Sequence, residues 1–210
     1  CKVAAMKDVP IQVQLSPGIS SITSNDDEDH ASSSSSVAGT PYAKAILDFQ
    51  SILHSTLSTH PNLKVHLSSW SGRADHMISL LQTFPSNLYI GFDGHVSFGK
   101  AKQLHECAFD VPLDKLVLET AEVIPSQVAN VMGRDAFFCS GWVPFVAEGV
   151  AVCKRGLVTA EDVGRAAAEN TVRLYPVLDR KKKGVVEEKE EEDVDGDADH
   201  HDDEKEDMED

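Results

Sequence analysis

The chain has 210 residues, 41% of them hydrophobic and 26% charged, which is enough for one domain and leaves nothing for a second. Its formal net charge is −16, but residues 184–210 hold 16 Asp or Glu against two Lys and account for −14 of it, so residues 1–183 stand near −2. No apolar run approaches the roughly 18 to 20 residues a membrane helix needs, and no signal peptide is visible.

Taken in chain order, Pro10-Ile11-Gln12-Val13-Gln14-Leu15 is a short β-type run stopped by Ser16-Pro17-Gly18. The stretch 16–41 follows, with Asp26-Asp27-Glu28-Asp29 and the serines Ser32 to Ser36; it cannot pack and is expected to be a disordered insertion. Apolar residues at Ile46, Leu47, Phe49, Ile52, Leu53 and Leu57 predict a helix over 42–59. A strand is expected at 63–67, a helix at 73–83, a strand around Tyr89, a helix at 100–109 and a strand at 115–119. After a loop around 125–140, residues 143–153 and 159–175 read as two closing helices. The last should start at Thr159-Ala160-Glu161-Asp162, a capping box with Asp in place of Glu, and should end at Pro176.

Three of these strands end in a polar cluster: Val65-His66-Leu67-Ser68-Ser69-Trp70-Ser71-Gly72, Ile90-Gly91-Phe92-Asp93-Gly94 and Leu116-Val117-Leu118-Glu119-Thr120-Ala121. A buried strand ending in His, Asp or Glu is how a parallel α/β barrel presents ligands at the carboxyl face of its strands. With the lead-in Val111-Pro112-Leu113-Asp114-Lys115 and the closing Ala168-Glu169-Asn170-Thr171-Val172-Arg173-Leu174-Tyr175, the ordered series over about residues 60 to 176 resembles the TatD-type metal-dependent deoxyribonucleases. The resemblance implies a (β/α)8 TIM-barrel-like α/β fold, of which only about the last four β/α units are present. Residues 1–178 are then a partial barrel, and 179–210 a basic junction (Arg180-Lys181-Lys182-Lys183) followed by an acidic disordered tail. Strands one to four would lie upstream of Cys1 or be absent. A fragment is the expected explanation, because an open half-barrel exposes pairing edges.

The resemblance also implies a chemistry. Family members hold divalent metal (Mg, Mn or Zn) with a His-x-His on strand one, a Glu on strand four, a His on each of strands five and six and an Asp on strand eight. The metal lowers the pKa of a bound water and neutralises charge on a phosphodiester. The strand-six position is His66, the expected metal ligand, but Gln14 stands at the strand-five position and Ala121 at the strand-eight position. An amide is a poor transition-metal ligand and an alanine is none. Glu122 lies one residue beyond, where side-chain alternation aims it elsewhere. The family's Arg-Asn-Glu-Pro run is replaced by Phe138-Cys139-Ser140-Gly141-Trp142-Val143-Pro144, so no catalytic residue is assigned and the substrate contacts stay open.

Other candidates carry two readings each. His76 and His95 lie near the strand ends, as solvated histidines or as site residues; Trp70 is a packed turn aromatic or a base-stacking one. His200-His201 in the tail implies weak metal scavenging at most. Two functions follow. One is a TatD-like hydrolase of DNA or another phosphodiester with a weakened metal site. The alternative is a catalytically inactive barrel that contacts basic proteins through its acidic tail. Cys1, Cys107, Cys139 and Cys153 show no C-x-x-C spacing, which points to a reducing compartment and a cytoplasmic location, or a nuclear one if the basic run is a localisation signal.

Overall fold

The computed structural model describes residues 9–15, 41–120, 123–133 and 139–176, with the side chains of 41 and 42 left aside. The expected insertion, apart from Pro41, lies outside the described residues, as do Ala121, Glu122, the basic junction and the acidic tail. Every element below belongs to the unit Cys1–Tyr175.

Strands and helices alternate: β1 (Ile11–Gln14), α1 (Pro41–Thr59), β2 (Val65–Ser68), α2 (Ala74–Thr83), β3 (Leu88–Phe92), α3 (Lys102–Asp110), β4 (Leu116–Leu118), α4 (Ser126–Met132), α5 (Val143–Cys153) and α6 (Ala160–Leu174). The strands form one parallel sheet in the order β1-β2-β3-β4, so each new strand adds beside its predecessor and all carboxyl ends meet at one edge. The register pairs Gln12 with His66, His66 with Tyr89, and Gly91 with Val117. This is the parallel α/β arrangement expected from the sequence.

Side chains alternate across a strand, and the two faces differ here. Val65, Leu67, Leu88, Ile90, Phe92 and Leu116 join Ile46 and Leu53 of α1, Met77 and Leu80 of α2, Cys107 of α3 and Val146 and Val150 of α5 in the main core. The opposite face carries His66, Ser68, Tyr89, Gly91 and Val117, and there Tyr89 and Val117 pack with Leu174 and Tyr175 from the end of α6. Both faces of β2 and β3 are buried; β3 is accordingly apolar throughout, whereas β2 alternates Val65 and Leu67 in the core with His66 and Ser68 on the other face.

Buried polar side chains pin the connections. Asn87 donates to the carbonyls of Pro61 and Leu63, both at 2.8 Å, ahead of β2. Lys154, only 6% exposed, donates to Phe109 O (3.0 Å) and Val111 O (2.7 Å) at the end of α3; burial pushes its ammonium below the ordinary range. Asn170 of α6 donates to Leu113 O and Leu116 O at 2.7 and 2.8 Å, which fixes α6 to β4. The expected capping box at Thr159 and Asp162 is present in full, and α6 starts where it was expected to. One difference is α4, a two-turn helix inside the stretch read as loop; only Val128 of it is buried, so no apolar period announces it.

Candidate functional site

At the carboxyl edge of the sheet the residues that end β2 and follow β4 meet above β3. Glu119 continues the β3–β4 ladder through its N–H to Phe92 O (2.8 Å), and its side chain turns onto the face that carries His66. The two side chains are 8% and 5% exposed, and Glu119 Oε1 stands 2.5 Å from His66 Nε2. Their approach explains Gly91. A Cβ at that position would collide with the Glu119 carboxylate and with the His66 ring. Gly94, the other glycine of the Gly-x-x-Gly run, passes against the Val123 carbonyl in the loop after β4, where a Cβ would also collide.

The second carboxylate oxygen is fully engaged. Glu119 Oε2 accepts hydrogen bonds from Ser68 Oγ (3.0 Å), Ser69 Oγ (3.1 Å) and Ser69 N (3.1 Å). Ser69 reaches it by adopting a left-handed backbone conformation, φ 46°, at the end of β2. Gln12 of β1 donates to Ser68 Oγ at 2.9 Å and extends the network across the sheet. On the other side of His66, Nδ1 lies 2.9 Å from the Tyr175 hydroxyl. Burial, with the negative charge of Glu119, pushes the Tyr175 phenol above its ordinary value.

His66 was the one family metal position that the sequence retains, and the geometry allows a test of metal fit. His66 Nε2 and Glu119 Oε1 are buried and face each other at 2.5 Å, and neither has another hydrogen-bond partner among the described residues. Gln14 is an exposed residue at the end of β1, and its Cα partner in the register is Ser68. Among the described residues no group of three His, Cys, Asp or Glu converges. Among the described residues the strand ends thus bring together one imidazole and one carboxylate, fewer donors than a divalent-metal site takes, and no chemistry is routed through a metal here. The strand-eight position, Ala121, and its neighbour Glu122 lie outside the described residues.

A second constellation follows β3. Asp93, 2% exposed, accepts from the His95 N–H (3.0 Å) and through the same oxygen meets His95 Nδ1 at 2.9 Å. Burial works to raise the Asp93 carboxyl, but the hydrogen bonds and charge of His95 outweigh it and hold it below its usual range. The exposed imidazole borders a cleft of about 410 Å³ at the carboxyl edge, lined also by Gln14, Ser71, Lys100, Lys102 and Gln103. Trp70 forms part of its wall but is 4% exposed and belongs to the main core, so it is a packed aromatic. His76 sits on α2, where its backbone N–H bonds Asp75. Cys107 is no nucleophile: burial pushes its thiol up to about 11.

Ser69, Asp93 and Tyr175 were not singled out as site residues from the sequence. The Asp-x-His spacing at a strand end was a usable signal for Asp93. Nothing local marks Tyr175, whose partner lies 109 residues away.

Comparison with known proteins gives the context for this geometry. No family model matches the chain. An uncharacterized metal-dependent hydrolase of Escherichia coli K12, YcfH, is 36% identical over 89 residues, 42% of this chain and 32% of that protein. The match thus spans about a third of the curated relative's length. Among solved structures, the TatD homologue YJJV of Escherichia coli K12 superposes with a TM-score of 0.50 at 17% identity, over 83% of this chain and 53% of that one. At that identity the likeness shows the fold. In sequence the chain thus resembles a metal-dependent hydrolase over part of its length, and in fold it resembles a TatD homologue.

Proposed function

We propose that this chain carries the later strands of a TatD-like hydrolase barrel, of the type that acts on DNA or another phosphodiester, with its metal site weakened so far that hydrolysis is residual. Residues 1–178 make up the barrel portion and 179–210 the junction and tail. The observation that carries the reading is the small donor set: among the described residues His66 and Glu119 meet at the strand ends and no third His, Cys, Asp or Glu joins them. Gln14 would add only an amide and Ala121 no ligand. Losing an acid/base carboxylate alone costs on the order of 10²- to 10⁴-fold in rate.

The test compares the full-length gene product with a Gln14→His, Ala121→Asp double variant in magnesium, manganese and zinc. The variant is expected to bind metal about 10- to 100-fold more tightly, on the scale that changes around a metal site produce, and to gain nuclease turnover. Wild-type metal affinity and turnover equal to those of the variant would overturn the reading.

The alternative is an inactive barrel that acts as an interaction protein, favoured by the charge of −14 in residues 184–210. It predicts capture of a basic protein such as a histone that is lost on deletion of those residues and in about 0.5 M salt, where the screening length falls to a few ångströms. No described helix is long and apolar enough to cross a membrane. A cytoplasmic or nuclear location is part of the same proposal, in keeping with the absence of a disulfide at Cys107, Cys139 or Cys153.

A further inference from the structure

We infer that the cleft beside His95 is a binding site for a phosphate monoester, independent of any metal. Three features of the cleft support this. Lys100 and Lys102 both line the cleft, and among its described lining residues there is no carboxylate. His95 lines the same cleft, its ring orientation fixed through Nδ1 by the buried Asp93 carboxylate. Gln103 donates across to the Ser71 carbonyl at 3.3 Å, which ties the amino end of α3 to the turn after β2 and holds the walls together.

The chemistry selects the ligand. Two lysine charges match the dianion of a monoester better than the single charge of an internal diester linkage. Gln14 and Ser71 add neutral hydrogen-bonding groups to the lining. The volume, about 410 Å³, lies in the range of small-molecule pockets. Trp70, Ala101 and Leu104 give one side an apolar wall suited to the organic part of the ester. The pair His66–Glu119 takes no part, so the cleft can bind whether or not the strand ends ever hold a metal.

Calorimetric titration of the full chain in EDTA tests the assignment with three probes: inorganic phosphate, a nucleoside 5′-monophosphate, and a dinucleotide that has one internal diester and no terminal phosphate. Saturable binding is expected for the first two, and no displacement of either by the third. Lys100→Ala and Lys102→Ala should each weaken binding by about tenfold, the scale of one lost charge-assisted hydrogen bond. His95→Ala should weaken it as well. Lys44→Ala, an exposed change on α1, should leave it unchanged. All these residues are exposed, so the variants are expected to fold, which an unfolding curve of each checks. Absence of binding, affinity indifferent to Lys100 and Lys102, or equal displacement by the dinucleotide would each overturn the inference. EDTA keeps this outcome separate from that of the hydrolase reading, which depends on metal.

Discussion

A methyl group at Gly91 would enter the space shared by the Glu119 carboxylate and the His66 ring. Gly91→Ala is therefore expected to destabilise the fold by roughly 2–4 kcal/mol, in the range of overpacking combined with a broken buried polar pair. A fall in denaturation midpoint at unchanged m-value would show it. Tyr175→Phe removes the hydrogen-bond partner of His66 Nδ1 and leaves a buried ring nitrogen without it, at a cost of about 1–3 kcal/mol. The Asp93 carboxyl gives a pH signature. Its folded pKa lies below the ordinary value near 3.8, so its contribution to stability is complete above that value and is lost as pH falls through the folded pKa. Asp93→Asn should flatten the acid limb of the stability-versus-pH curve below about pH 4 relative to wild type; an unchanged acid limb would contradict the Asp93–His95 account. Of these residues, His66 and the Gly-x-x-Gly run stood out in the sequence because strand-end patterns are local. Tyr175 did not, because only the return of α6 brings it to the same face of the sheet.

The elements themselves were legible where a period or a cap marks them. The alternation of β2, β3 and β4 with α2 and α3, and the start of α6 at Thr159, follow directly from apolar spacing and a capping box. Helix α4 was not legible, since a two-turn segment that buries Val128 alone carries no periodic signal. The anchoring of α6 was also hidden. Asn170 lies inside a run that resembles the family's closing helix, but its bonds to Leu113 O and Leu116 O are contacts over more than fifty residues. Asn170→Ala should leave both carbonyls without that donor and cost about 1–3 kcal/mol. It should also raise hydrogen exchange in α6 more than in α2, because the loss detaches α6 from β4. Equal effects on both helices would show that Asn170 is not the tie.

At the scale of the molecule, the sheet gathers the carboxyl ends of β1 to β4 along one edge, and that edge carries two distinct chemistries. Around His66, hydrogen bonds between Gln12 and Ser68, Ser68 and Glu119, and His66 and Tyr175, joined by the close approach of Glu119 to His66, span three strands and the end of α6. Beside it, the cleft of His95, Lys100 and Lys102 presents positive charge. The resemblance predicted a metal-ligating edge and placed His66 on it. It could not show that Glu119, read as part of a motif, would meet the His66 ring, because that depends on the register of β2, β3 and β4. The measurement that tests this account most directly is a zinc and manganese titration of the full chain, repeated on His66→Ala and on a chain ending at residue 183, which lacks the acidic tail and its His200-His201 pair. The account predicts only weak binding, on the order of millimolar, that disappears with the tail and is indifferent to His66. A one-to-one site of micromolar or better affinity that survives tail removal and is lost in His66→Ala would contradict it.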